Sequence, residues 1–208
     1  MKTIEEMRQE VFAWTKQSYA EKLFAGTSGN LSMYDPDSGI MTITPTSIPY
    51  ETILPEDMVA MRLDGEVVDG HYAPSSEWRL HAEIYKAFPE AGAVVHSHSP
   101  YATAFAVAHQ SIPVILIEMV PFLGGDVPLA EFAVPGTDAV GLNAVAAMQE
   151  RPACLMANHG VVAFGADLKQ AHIRAVYVED AAKICYYAKG IGEVHVMSDE
   201  AIRAMKGE

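Results

Sequence analysis

Four residues of types that bind divalent cations are spread through the chain: Glu77, His96, His98 and His159. His96 and His98 stand two apart at the end of Ala93-Val94-Val95, an apolar, β-branched run that reads as a buried strand. A period of two turns both imidazoles to one face, close enough to share an ion. Alone, such a pair is more often two polar side chains leaving a strand. His159 sits in Asn158-His159-Gly160 between two apolar segments, where a ring can enter a cleft or simply bond within a turn. Three imidazoles complete the protein shell of a catalytic zinc and leave a position for substrate. All-histidine ligation also admits cobalt, nickel or manganese. Glu77 follows Ser75-Ser76, the expected N-cap pair, in the first turn of an expected helix. A carboxylate there either complements the helix dipole, worth ~0.3–1 kcal/mol, or serves beside a metal as ligand or general base. His81, one helical turn on, could form an i, i+4 metal pair with Glu77, but is more readily expected to support the site from behind or to face solvent. His71, His109, His172 and His195 read as structural residues in loop or surface positions.

A second constellation suits an anion. Thr27-Ser28-Gly29-Asn30, Thr46-Ser47 and Ser75-Ser76 are rich in hydroxyls, amides and glycine. The last pair opens a helix, where free N–H groups and the dipole favour negative charge. Small side chains let a phosphate come close to the backbone. None of the three segments contains Lys or Arg, so any phosphate cradle here is electrically neutral. Each segment alone is ordinary turn or cap chemistry. Neither a Walker loop nor a dinucleotide fingerprint is present.

Both constellations need a scaffold. Ile4, Met7, Val11, Trp14 and Ser18 form one helical stripe, extended by Leu23 and Phe24 and stopped at Gly26. Residues 31–34 and 40–44 read as a hairpin around Asp35-Pro36-Asp37-Ser38-Gly39, and 58–63 with 66–68 as a second around Asp64-Gly65. Helices are expected at 76–88, from Ser99-Pro100, at 137–149, from 167 to a stop at Gly190, and after Ser198. Strands are expected leading into His96, at 112–119, and on both sides of His159. Early hairpins followed by helix-linked strands predict a three-layer α/β/α domain with a central mixed, largely antiparallel sheet.

The bulk properties are compatible with this. The 208 residues suit a single domain over 1–208, with half of the residues hydrophobic. A formal charge of −13 argues against nucleic acid and anionic membranes, and means that a phosphate must be caught by local donors. Two cysteines, Cys154 and Cys185, form no disulfide framework. The start of the chain lacks the apolar core of a signal peptide, and no apolar run is long enough to span a bilayer. The expectation is a cytoplasmic protein.

Together, GTSGNLS (26–32), TPTSIPYE (44–51), PSSEWRLHAEIY (74–85), AVVHSHSPYATAFA (93–106) and NHG (158–160) resemble the class II aldolase/adducin family, in its L-fuculose-1-phosphate aldolase branch. Their order and spacing fit across essentially the whole chain. The resemblance implies one Zn²⁺ per subunit on His96, His98 and His159, with Glu77 as resting fourth ligand and catalytic acid/base. It implies a substrate phosphate held by Gly29, Asn30, Thr46, Ser47, Ser75 and Ser76. It also implies a homotetramer with active sites at subunit interfaces, cleaving a ketose 1-phosphate to dihydroxyacetone phosphate and a small aldehyde. Glutamate at 77, where ribulose-5-phosphate 4-epimerase relatives carry aspartate, points to the aldolases. The alternatives are an epimerase or dehydratase on the same scaffold, and a non-enzymatic adducin-like interaction module. Two features depart from the fuculose aldolases. Ile117 stands where they carry a proton-donating tyrosine, and the tail after Ser198 has no aromatic. Both suit a more apolar aldehyde end, as in 5-deoxyribulose or methylthioribulose 1-phosphate.

Overall fold

The computed structural model describes residues 2–208. Helix α1, Ile4–Ala20, begins with a capping box in which the Thr3 hydroxyl accepts from the Glu6 N–H and the Glu6 carboxylate accepts from the Thr3 N–H. It buries Met7, Val11, Thr15 and Ser18 and ends at Ala20, earlier than the expected stop at Gly26. The chain reverses at Lys22, whose φ is 63°. Leu23 and Phe24 are still buried, but from the turn rather than the helix.

Strands β1 (Asn30–Asp35) and β2 (Ile40–Ile43) form the first hairpin, with Ser32 opposite Ile43. Strands β3 (Val59–Met61) and β4 (Val67–Asp69) form the second. After them come helix α2 (Trp78–Ala87), strand β5 (Ala93–Ser97) and helix α3 (Pro100–Val107). Helix α4 (Met119–Leu123) and the short strand β6 (Leu129–Ala130) lead to helix α5 (Asp138–Met148). Strands β7 (Ala153–Met156) and β8 (Gly160–Gly165) precede the long helix α6 (Leu168–Ile191). Helix α7 (Asp199–Lys206) starts from the expected cap, Ser198.

The eight strands make one sheet in the order β4-β3-β2-β1-β5-β8-β7-β6. Every pairing is antiparallel except β6 with β7. Residue alternation separates two cores. On one face Leu31, Met33, Val95, Leu155 and Ala163 pack with residues of α1, α3 and α6. On the other Met41, Ile43, Val94, Cys154, Val162 and Phe164 pack with residues of α2 and α5. The expected three-layer α/β/α arrangement with a mixed, largely antiparallel sheet is therefore the one observed. Each fully buried Leu, Ile or Met here contributes roughly 1.5–3 kcal/mol relative to exposure.

Residues 112–119 do not form the expected strand. Only Ile112 pairs, in an isolated bridge to Val127, and the chain then bends into α4. Pro113 has no N–H to give to a ladder. Pro121 sits in the first turn of α4, where an amide proton has no intrahelical partner to lose. Helix α6 also runs through Gly190 and caps at Gly192, whose N–H reaches the Ala188 carbonyl.

Candidate metal centre

The sheet register assembles the centre. Strand β1 sets Asn30 opposite His96 of β5, and β8 sets Val162 opposite His96 on the other side. Asn30, Ser32, Val94 and His96 therefore face the α2 layer, while Leu31 and Val95 face the other core. His98 lies just beyond the end of β5, and His159 just before β8. Helix α2 starts over this end of the three central strands, where Glu77 meets His96 and His159.

Glu77 is the N-cap residue of α2, where Ser75 or Ser76 was expected. Its side chain makes no capping bond because it turns away to meet the imidazoles. Ser75 Oγ accepts the Glu77 N–H at 3.3 Å and so serves one of the helix's open donors. Glu77 Oε2 lies 3.0 Å from His96 Nε2, and Oε1 lies 2.9 Å from His159 Nε2. His96 Nε2 and His98 Nε2 are 3.0 Å apart. One ligand atom from each of the four residues falls within 4.8 Å of the others. The three rings meet edge to face, with centroids 4.8–5.1 Å apart.

The donor chemistry fits a divalent cation. His96 Nδ1 lies 2.9 Å from the Val161 carbonyl, which can only accept, so this nitrogen carries the ring proton. In the neutral ring Nε2 then presents a lone pair to a carboxylate oxygen and to another imidazole nitrogen. Lone pairs converging in a buried space call for a positive centre between them. Burial alone would raise the Glu77 carboxyl, but positive charge at His96 and His159, or a cation in their place, outweighs it and holds it well below the ordinary carboxylate range. Burial, with His96 and His159 nearby, pushes His98 down to about 4.

The three hydroxyl- and glycine-rich segments come together beside this centre. Thr27, Ser28, Gly29, Asn30, Thr46, Ser47, Ser75 and Ser76 line one cavity of about 190 Å³ that also touches Glu77 and His98. A bridge between Pro45 and Pro74, with the Thr46 N–H donating to the Ala73 carbonyl, ties two of the segments together. The Tyr50 hydroxyl donates to the Gly29 carbonyl at 2.5 Å and fixes the third. Gly29 has φ +85°, and a Cβ there would lie 2.6 Å from the Phe24 ring. No Lys or Arg lines the cavity. An anion in it would sit next to the Glu77 carboxylate, a repulsion that a cation held by the histidines would offset.

Asn30 is engaged at both ends of its side chain. Nδ2 donates to Glu77 Oε2 at 3.0 Å, and Oδ1 lies 2.5 Å from His81 Nε2. His81 is fully buried, and burial foremost pushes its imidazole down to about 3. It thus stands behind the four grouped ligand residues and neither joins them nor faces solvent. Ser32, Tyr85 and Tyr50 were missed as contributors to the site. For two of them the signal was present: Ser32 is two residues from Asn30 on a strand, and Glu77, His81 and Tyr85 are spaced by four on a helix. His172 is not a surface residue. It is buried on α6 between Ser18 Oγ at 2.9 Å and Glu21 Oε2 at 2.8 Å.

Gly160 gives a local test of this packing. A Cβ there would lie 2.4 Å from the Ser97 carbonyl and 3.0 Å from the His98 ring. Gly160→Ala must push β8 away from the histidines, so a destabilisation of roughly 1–3 kcal/mol is expected, with weakened divalent-cation binding. Denaturant unfolding alongside chelator competition measures both.

A family model described as the class II aldolase and adducin N-terminal domain matches residues 9–186. A 5-deoxy-D-ribulose 1-phosphate aldolase of Bacillus thuringiensis serovar kurstaki is 34% identical over 197 residues, covering 95% of this chain and 92% of the relative. An L-ribulose-5-phosphate 4-epimerase of Salmonella paratyphi C is 34% identical over 199 residues, covering 90% and 87%. Among solved structures, an L-fuculose 1-phosphate aldolase superposes with a TM-score of 0.92 at 37% identity, covering 97% of this chain and 95% of that one.

Proposed function

The chain belongs to the class II aldolase and adducin family, and on that premise we propose that it is a zinc-dependent aldolase acting on a ketose 1-phosphate. It splits L-fuculose 1-phosphate or a 5-deoxy or 5-substituted pentulose 1-phosphate, reversibly, into dihydroxyacetone phosphate and a small aldehyde. The observation that carries this reading is the convergence of Glu77, His96, His98 and His159 within 4.8 Å, next to a neutral cavity rich in hydroxyls and amides.

His96, His98 and His159 would hold the ion, with Glu77 as the ligand that leaves. A divalent cation bound there acts as a Lewis acid, stabilising the negative charge that develops on the carbonyl oxygen as the carbon–carbon bond breaks. The chain supplies the rest. Hydroxyls of Thr46, Ser47, Ser75 and Ser76, with the Gly29 backbone and the Asn30 amide, hold the phosphate and set the position of the sugar carbons. Glu77, once released from the ion, takes the C4 hydroxyl proton as the C3–C4 bond breaks, leaving the electron pair on C3 of the dihydroxyacetone phosphate half. Glu77 then gives a proton to C3. Ile117, 61% exposed, has no proton to give, so position 117 takes no part in proton transfer. No lysine lines the cavity, which leaves no amine for a Schiff base.

We read residues 1–208 as one catalytic domain in a cytoplasmic homotetramer with active sites at its subunit interfaces. Exposed apolar side chains, among them Ile117, Phe132 and Val134, support an assembled state. No helix among the described residues is long and apolar enough to cross a membrane.

The second reading is a sugar-phosphate 4-epimerase, favoured by the 34% identity to the Salmonella enzyme. Glutamate at position 77 argues for the aldolase. The deciding experiment incubates zinc-loaded protein with ketose 1-phosphates differing at C5 and C6, and with L-ribulose 5-phosphate. Dihydroxyacetone phosphate should appear from at least one ketose 1-phosphate, in proportion to bound zinc. Epimer formed from the 5-phosphate without cleavage of any 1-phosphate would overturn the assignment.

A further inference from the structure

We infer that His81, Ser32 and Tyr85 are positioning residues: a one-way hydrogen-bond chain running from Tyr85 to Glu77 that fixes the orientation of the Asn30 amide and, through it, of the Glu77 carboxylate. The inference rests on the reading of Glu77 as the residue that both binds the cation and moves the proton.

Four contacts make up the chain. Tyr85 Oη lies 2.7 Å from Ser32 Oγ, and Ser32 Oγ lies 2.6 Å from His81 Nδ1. His81 Nε2 lies 2.5 Å from Asn30 Oδ1, and Asn30 Nδ2 lies 3.0 Å from Glu77 Oε2. All five residues are buried. An ionised carboxylate can only accept, so Asn30 must turn its NH₂ group to Glu77 and its oxygen to His81. That oxygen needs a donor, so His81 carries its proton on Nε2. His81 Nδ1 is then a lone pair and takes the Ser32 proton. Ser32 has no second proton, so Tyr85 donates to it. Every member has a single role, and the donors run in one direction to the carboxylate.

The chain matters because Glu77 has little else to orient it. It is an N-cap residue without a capping bond, and its other neighbours are the prospective ligands themselves. A flipped Asn30 amide would set an oxygen against the carboxylate and an NH₂ against the His81 N–H, two repulsive contacts in a dry interior. The tautomer of His81 forbids that flip. The chain also spans both sides of the site: Asn30 and Ser32 belong to β1, while His81 and Tyr85 belong to α2, so it ties the helix carrying Glu77 to the sheet carrying His96.

The test compares His81→Phe with His81→Gln. Phenylalanine keeps an aromatic ring but has neither nitrogen, whereas glutamine keeps one donor for Asn30 and one acceptor for Ser32. His81→Phe is expected to lower kcat and zinc affinity by roughly 10–100-fold, with KM changed much less, as for other groups that orient a metal ligand. His81→Gln is expected to recover most of both. In the native protein, ¹⁵N NMR of His81 should show protonated Nε2 and bare Nδ1. The chain is refuted if His81 is protonated on Nδ1. It is equally refuted if the two variants share native kcat and zinc affinity and differ only in melting temperature. Zinc affinity and the NMR signature need no substrate, so a wild-type protein inactive on every ketose phosphate would count against the proposed function and leave the chain to be judged separately.

Discussion

His159→Ala is expected to lose its bound divalent cation and its carbon–carbon cleavage together. The ring is one of three imidazoles that meet with centroids about 5 Å apart, and its Nε2 lies 2.9 Å from Glu77 Oε1. What remains is two histidines and Glu77, the ligand that must leave for substrate, so the ion has only two lasting protein ligands. The cost in kcat/KM should be at least the ~10²–10³-fold that follows loss of a single oxyanion-stabilising group. His159 is a cleaner target than His96. His96 Nδ1 also serves the Val161 carbonyl at the centre of the sheet, so His96→Ala adds a buried unsatisfied acceptor and a folding defect of roughly 1–3 kcal/mol. Zinc quantified per chain, cleavage assayed on the same sample, and a thermal melt separate the effects. Chelation of the wild type should reproduce the loss, and added zinc should reverse it. Full activity in metal-stripped protein would end the scheme.

Glu77→Gln should separate metal binding from proton transfer. Glutamine nearly matches glutamate in shape, and the three histidines remain, so part of the zinc should stay bound. Its carbonyl must take the Asn30 donor, leaving its NH₂ toward His159. That side chain can neither release nor accept a proton near neutral pH. Loss of a general acid/base of this kind costs ~10²–10⁴-fold. The sharpest measurement is exchange of the C3 proton of dihydroxyacetone phosphate with deuterium from solvent, which needs no aldehyde. The variant should retain zinc and lose exchange. Exchange at the native rate would remove Glu77 from the proton-transfer role.

Much of the scaffold was legible in the sequence because local signals agreed with the final packing. Residues 31–34 read as a strand, and its two sides do face different environments, although the strand begins one residue earlier, at Asn30, which read as part of a turn. The spacing of His96 and His98 admitted a shared ion, and the resemblance of the surrounding motifs to a known family supplied the rest of the ligand set. Misreadings arose where long-range contacts or prolines override local pattern. Residues 112–119 are apolar enough for a strand, yet Pro113 and Pro121 leave only the Ile112 bridge and then a helix. Ser75 and Ser76 have better capping propensity than Glu77, yet Glu77 holds the N-cap because its carboxylate is drawn to the histidines. His172 looks like a surface residue in a polar stretch, but Ser18 and Glu21, distant in sequence, enclose it.

By itself the sequence determined the residue types able to bind a cation and an anion, the α/β class, and the family to which these motifs point. The first two follow from side-chain chemistry and from periods of two and 3.6, which need only neighbours along the chain, and the family from the resemblance of the motifs. The site itself was decided by tertiary structure. Pairing of β5 with both β1 and β8 brings Asn30, His96 and His159 together at one end of the three central strands, and the docking of α2 across that end delivers Glu77. Strand pairing and layer packing join residues as far apart in the chain as Asn30 and His159, and no local period encodes which distant groups will share a buried space.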